Sequence, residues 1–286
     1  MVPSLATMRL LRRALILLAM LAIVAYVGAV IWLVVHETNI VFAAGLPFGD
    51  RRPAPPFEEV WIDQAQGPRQ RLWLMRTAAD SASRPWLLFL HGNASNVASR
   101  LNILHCEKLR ALGLNVIAAE YRGFGGMDGA PTEAGLESDA RSGYDYLRRE
   151  LRADPRRIVV YGWSLGSAVA VDLTSRTDEA AVILEGAPSS LVAVGARRYP
   201  YFPIRMLIRN PFDSIRKIVK IRAPVLFLHS REDEVIPFDE GRRLFDAAPE
   251  PKQFVEVSGG HVYASEKDPA FFPAVGGFLR AHRLLP

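Results

Sequence analysis

Ser164 stands in the run "VVYGWSLGSAV", Val159 to Val169, held between Gly162 and Gly166 where an apolar strand pattern gives way to a helical one. A serine hydroxyl is a weak nucleophile unless a base takes its proton and a third group orients that base. In a G-x-S-x-G turn the serine adopts a strained backbone and projects above the carboxyl end of a sheet. The glycines remove the clashes that would keep strand and helix apart. The alternative is that Ser164 is only a turn residue, and the rest of the chain decides between the two.

A site of this kind orders its residues Ser, then Asp or Glu, then His. Three histidines follow Ser164. His229 ends an apolar run, a position suited to packing or a hydrogen bond, and His282 falls on a helical segment near the C-terminus. His261 follows Gly259-Gly260 in an apparent loop and is the best base. For the acid, "HSREDEVIP" offers Glu232, Asp233 and Glu234, and spacing alone leaves all three open. A tetrahedral intermediate also needs an oxyanion hole. One donor is expected from the backbone N–H of Leu165 and the second from that of Asn93 in "HGNASN".

These residues need a scaffold. "EEVWID" and "RQRLWLMR" read as strands joined by the turn "QAQGP". "PWLLFLH", "NVIAAEY", "RRIVVYG", "AAVILEG" and "APVLFLHS" read as strands buried on both faces, and "KQFVEVSGG" as the last strand. Helical patterns fall near Ser99–Leu112, over "TEAGLESDARSGYDYLRREL", over Leu165–Ser175 and over Asp268–Arg283. This alternation predicts an α/β fold with a mostly parallel central sheet, helices on both faces and an antiparallel edge at its start.

"ALILLAMLAIVAYVGAVIWLVV", Ala14 to Val35, carries no charge. As a helix it is about 33 Å long, enough to cross a hydrocarbon core of ~30 Å. The expected organisation is a basic segment at 1–13, a transmembrane anchor at 14–35, a Pro-rich linker at 36–56 and one domain at 57–286. Roughly 230 residues suffice for one sizeable core. Arg9, Arg12 and Arg13 favour an inside N-terminus with the domain on the outer side, and Arg51 and Arg52 weaken that bias. The single cysteine, Cys106, excludes an internal disulfide and reads as a small buried hydrophobe.

Taken together, "HGNASN", "EYRGFGGMDGAPTEAGLESDARSGYDYL", "GWSLGSAVA", "FDSIRKIVKIRAPVLFLHSREDEVIP" and "GGH" resemble the α/β-hydrolases. They are most similar to the membrane-anchored serine hydrolases that include fungal polarity-related proteins and protein depalmitoylases. The resemblance implies Ser164 as nucleophile, Asp233 as acid and His261 as base. It also implies that an insertion at about 189–222 forms a short helical cap. Two positions depart from the pattern: Ser230 replaces a usual glycine, and Met127 a common serine.

The insertion holds Arg197, Arg198, Arg205, Arg209, Arg216, Lys217, Lys220 and Arg222 against one acid, Asp213, in a chain of net charge +5. That charge reads either as a solvated face or as a surface for anionic lipid. No metal, nucleotide or nucleic-acid motif accompanies it, so no cofactor, metal or nucleic-acid partner is expected. The expected activity is hydrolysis of a carboxylic ester or thioester through an acyl-enzyme. A peptidase on the same fold, or a silent hydrolase-fold binding protein, stays open as an alternative.

Overall fold

The structure, a computed structural model, describes residues 5–46, 49–64, 67–77 and 83–286. Within them eight strands form one sheet in the order β1-β2-β4-β3-β5-β6-β7-β8. The strands are β1 (Phe57–Ile62), β2 (Gln70–Met75), β3 (Trp86–Leu90), β4 (Asn115–Ala119), β5 (Ile158–Trp163), β6 (Ala181–Glu185), β7 (Val225–Ser230) and β8 (Lys252–Val257). β1 and β2 pair antiparallel, as do β2 and β4, and the remaining pairs are parallel. Each strand expected from the sequence is therefore present. Two residues of the expected β1–β2 turn, Ala65 and Gln66, lie outside the described residues.

Helices cover both faces because the side chains of each central strand alternate between two cores. Leu88 and Leu90 of β3 pack with residues of α3 (Glu133–Arg149), α4 (Leu165–Thr174) and α8 (Phe238–Ala247). Leu87 and Phe89 pack with α2 (Arg100–Ala111) and α10 (Phe271–Ala281) on the opposite face. Cys106 is buried in that second core, where burial pushes its thiol pKa up. Side-chain caps start the helices where the sequence supplies them: Ser99 accepts from Asn102 N–H ahead of α2, and Thr132 from Gly135 N–H ahead of α3.

The segment after β6 forms three short helices, α5 (Leu191–Arg198), α6 (Ile204–Leu207) and α7 (Ser214–Lys217), which make the cap. Its charge is partly neutralised at home. Arg197 pairs with Asp239, Arg209 with Glu37, and Arg216 with Asp213, while Lys217 meets Glu133, Glu137 and Asp172.

The first helix, α1 (Leu5–Phe42), is long and apolar enough to cross a membrane, and its apolar stretch is not buried by the rest of the chain. It corrects the expectation that a linker begins at residue 36, because the helix continues to Phe42. Tertiary contacts hold this polar turn helical. The Glu37 carboxylate accepts the backbone N–H groups of Arg209 (2.8 Å) and Asn210 (3.0 Å), and Arg209 Nε approaches its other oxygen at 2.5 Å. Phe42 is fully buried, edge-on to Phe124 and Phe212. The end of α1 is thus part of the globular body rather than a stalk holding it off.

Candidate active site

β5 delivers Ser164 to the carboxyl edge of the sheet, and α4 leaves from it. Ser164 has φ 54° and ψ −119°, a left-handed backbone that costs a non-glycine residue energy. Its neighbours explain how the turn closes. A Cβ on Gly162 would stand 2.4 Å from the Gly166 carbonyl oxygen, and a Cβ on Gly166 only 2.1 Å from that of Leu90. The Ser164 N–H donates to the Glu185 carbonyl of β6 (2.8 Å), fixing the elbow to the next strand.

Ser164 Oγ donates to His261 Nε2 at 2.7 Å, and His261 Nδ1 donates to Asp233 Oδ2 at 2.7 Å. The carboxylate sets the imidazole tautomer, leaving Nε2 as the acceptor that faces the hydroxyl. All three side chains are buried or nearly so. His261 does not sit in an open loop, as the Gly259-Gly260 pair suggests. It occupies the first turn of a short helix, α9 (Gly260–Lys267), entered through left-handed Gly259 at φ 101°.

Among the three acids left open by spacing, Asp233 is the one that meets His261. Its Oδ1 also accepts the N–H groups of Val235 (2.9 Å) and Ile236 (2.7 Å). Burial alone would raise its pKa. Hydrogen bonds from His229 and His261, the charge of His261 and the Ile236 N–H outweigh burial and hold it well below the usual carboxylate range. Glu232 and Glu234 meet the backbone around His261 instead: Glu232 accepts the Gly259 N–H (3.2 Å) and Glu234 the His261 N–H (3.3 Å).

Ser230, one departure from the family pattern, has a place in this arrangement. Its Oγ accepts the N–H groups of Glu232 (3.1 Å) and Gly260 (3.2 Å), linking the loop that carries Asp233 to the turn that carries His261. His229 adds a second brace, with Nε2 donating to the Ile236 carbonyl at 2.9 Å and lying 3.4 Å from Asp233 Oδ2. Met127, the other departure, is buried and does not line the cleft.

The "HGN" turn packs against the serine: a Cβ on Gly92 would lie 3.3 Å from Ser164 Cβ. Buried Glu120 secures this turn, meeting His91 Nε2 and Arg71, each at 2.9 Å, and the Val97 N–H at 3.2 Å. Burial would raise the Glu120 pKa, but His91 and Arg71 together bring it below the ordinary value. Asn93 and Leu165 both border the cleft beside Ser164. Leu165 is the first residue of α4, where helix geometry leaves the N–H without an intrahelical partner. The Asn93 side chain donates to the Val41 carbonyl of α1 (3.0 Å).

Over the serine lies a largely apolar cleft of about 800 Å³, within the size range of ligand pockets. Its walls come from the cap, from the loop after Asp233 and from Leu33, Glu37, Ile40 and Val41 of α1. The α1 contribution was not read from the sequence, because an apolar run long enough to span a bilayer gives no separate sign that its end also lines a site.

A strained serine at a strand–helix turn, with its hydroxyl on a buried His–Asp pair and a cap above, is the architecture of a hydrolase, and the chain belongs to the alpha/beta hydrolase family. It matches that family over residues 87–256. It is 35% identical over 252 residues to an uncharacterized protein of Mycobacterium tuberculosis (strain ATCC 25618 / H37Rv), covering 87% of this chain and 88% of that one. It is 31% identical over 229 residues to the lysophosphatidylserine lipase ABHD12 of Danio rerio, covering 70% of this chain and 59% of that one. An esterase of Pyrococcus furiosus shares the fold with a TM-score of 0.66 at 20% identity, over 82% of this chain and 99% of that one.

Proposed function

We propose that the protein is a membrane-anchored serine hydrolase that cleaves carboxylic esters or thioesters through an acyl-enzyme. The observation that carries this reading is the unbroken hydrogen-bonded line from Ser164 Oγ through His261 to Asp233 at the floor of an apolar cleft. The lipase among its relatives supports ester chemistry. Ser164 Oγ attacks the acyl carbonyl carbon while its proton passes to His261 Nε2. Asp233 stabilises the imidazolium, and the negative oxygen is held by the N–H groups of Leu165 and Asn93. Collapse breaks the bond to the alcohol or thiol, which leaves with the proton from His261. A water molecule, deprotonated by His261, then attacks the acyl-enzyme and releases the acid with Ser164 restored.

The decisive test is Ser164→Ala. The variant is expected to keep its fold and to lose p-nitrophenyl ester turnover by about 10⁴-fold or more, together with fluorophosphonate labelling. Labelling that survives in the variant removes Ser164 from the reaction.

A further inference from the structure

One face of α1 connects the candidate membrane span to the cleft. Tyr26, Leu33, Glu37 and Val41 recur at helical spacing along it. Val41 lies at the serine end, where its carbonyl receives the Asn93 side chain. Leu33 lies eight residues away, about 12 Å along the helix, and still borders the cleft. Between them the buried Glu37 clamp fixes α1 to the cap at Arg209 and Asn210.

Further along the same face, the Tyr26 ring stacks on Phe202 with centroids 5.4 Å apart and planes within 3°. Its hydroxyl donates to the Tyr201 carbonyl at 3.0 Å. Tyr26 is twelve residues into the apolar run that starts at Ala14, roughly 18 Å along it, whereas a hydrocarbon core is ~30 Å thick. The cap tip is therefore tied to α1 about 12 Å inside the boundary on the domain side. Its side chains suit that depth. Tyr201 is 85% exposed and Met206 84%, the two most exposed large apolar side chains of the cap. Exposed Arg198 and Arg205 flank them, with stems long enough to reach head groups. Leu33 falls near the boundary itself, so the cleft meets the bilayer at its α1 end.

We infer that the cleft draws its acyl chain laterally out of the bilayer, along the Leu33–Val41 face of α1, while the cap tip around Tyr201 and Met206 is immersed beside that entry. The substrate class is then a bilayer-dissolved long-chain acyl ester. Entry by this route spares the chain the cost of exposing each methylene to water. The inference rests on the serine-hydrolase reading and adds to it the source of the substrate.

The experiment uses the full chain in phosphatidylcholine vesicles, with p-nitrophenyl palmitate dissolved in the vesicles and p-nitrophenyl acetate in the water. Met206→Glu, at the tip and outside the cleft, is expected to lower palmitate turnover about tenfold and to change acetate turnover less than twofold. Met206→Cys carrying an environment-sensitive fluorophore is expected to be quenched by a spin label attached to the lipid chains. Labelling is selective because Cys106 is buried. Equal effects of Met206→Glu on both esters, or a fluorophore quenched only from water, overturns the inference while leaving the hydrolase reading intact. Turnover of neither ester by the unaltered protein, or of both by Ser164→Ala, instead removes the hydrolase reading and the inference with it.

Discussion

Asp233 has two oxygens with different duties: Oδ1 is occupied by the Val235 and Ile236 N–H groups, and Oδ2 faces His261 Nδ1. In Asp233→Asn the side-chain oxygen can keep the two backbone hydrogen bonds, which places the amide N–H₂ against His261. The imidazole must then present an acceptor at Nδ1, and Nε2 no longer accepts the Ser164 proton. We expect a loss in kcat of about 10⁴-fold with the fold retained, read by steady-state turnover of a short-chain ester alongside circular dichroism. A loss of less than tenfold would contradict the assigned role. The depressed pKa of Asp233 also has a sign. Its stabilising contribution is present above the ordinary carboxylate pKa of about 3.9 and is lost only as pH falls through the lower folded value. At this scale the serine and the histidine were legible, because flanking glycines and chain order constrain them. The carboxylate that meets His261 was not legible from residues alone. Consecutive residues of a turn point in different directions, so Glu232 and Glu234 reach the backbone N–H groups of Gly259 and His261 while Asp233 reaches the imidazole. The resemblance implied Asp233, which spacing left open, and Asp233 is the residue in contact with His261.

At the scale of elements, the β5–α4 turn depends on two backbones approaching more closely than a side chain permits. Gly166→Ala puts a methyl group 2.1 Å from the Leu90 carbonyl oxygen and 2.5 Å from that of His91. Both acceptors are backbone atoms at the edge of a central strand and cannot swing away. The expected cost is about 3 kcal/mol or more, measured by urea unfolding, with ester turnover lost in parallel. A variant as stable as the unaltered chain would mean that the elbow is looser than its geometry implies. The central strands β3 to β7 were legible as apolar runs, since burial on both faces leaves no polar alternation to misread. Three helical features were not, and one is α9, where the Gly259-Gly260 pair reads as a loop. The helix over Phe238–Ala247 carries charges around a narrow apolar stripe and starts after Pro237 without a side-chain cap. The last turns of α1 read as polar linker because their helical state comes from the Glu37–Arg209 contact, a tertiary effect that overrides local composition.

At the scale of the whole molecule, α1 and the domain form one body, so the side of the membrane on which the domain stands follows from the insertion of a single helix. Arg9, Arg12 and Arg13 precede the apolar run, while Arg51 and Arg52 follow it. Positive charge within reach of the span favours retention on the inner side, and the larger cluster precedes the helix. The cap changes this balance little. Half of its cations are engaged by Asp239, Glu37, Asp213 and the Glu133–Glu137–Asp172 group, and all of them lie far beyond the span in sequence. We therefore propose an inside N-terminus with the hydrolase domain on the outer side. Protease added to spheroplasts expressing the full chain is expected to remove the domain and spare a cytosolic marker, and inverted vesicles are expected to protect it. Replacing Arg9, Arg12 and Arg13 together by Gln leaves only the pair that follows the span, so the protected fraction in spheroplasts should rise. A domain that is digested only after the spheroplasts are lysed would reverse the orientation. It would place the cap tip and the α1 entry on the cytoplasmic leaflet, leaving the chemistry proposed for Ser164 unchanged.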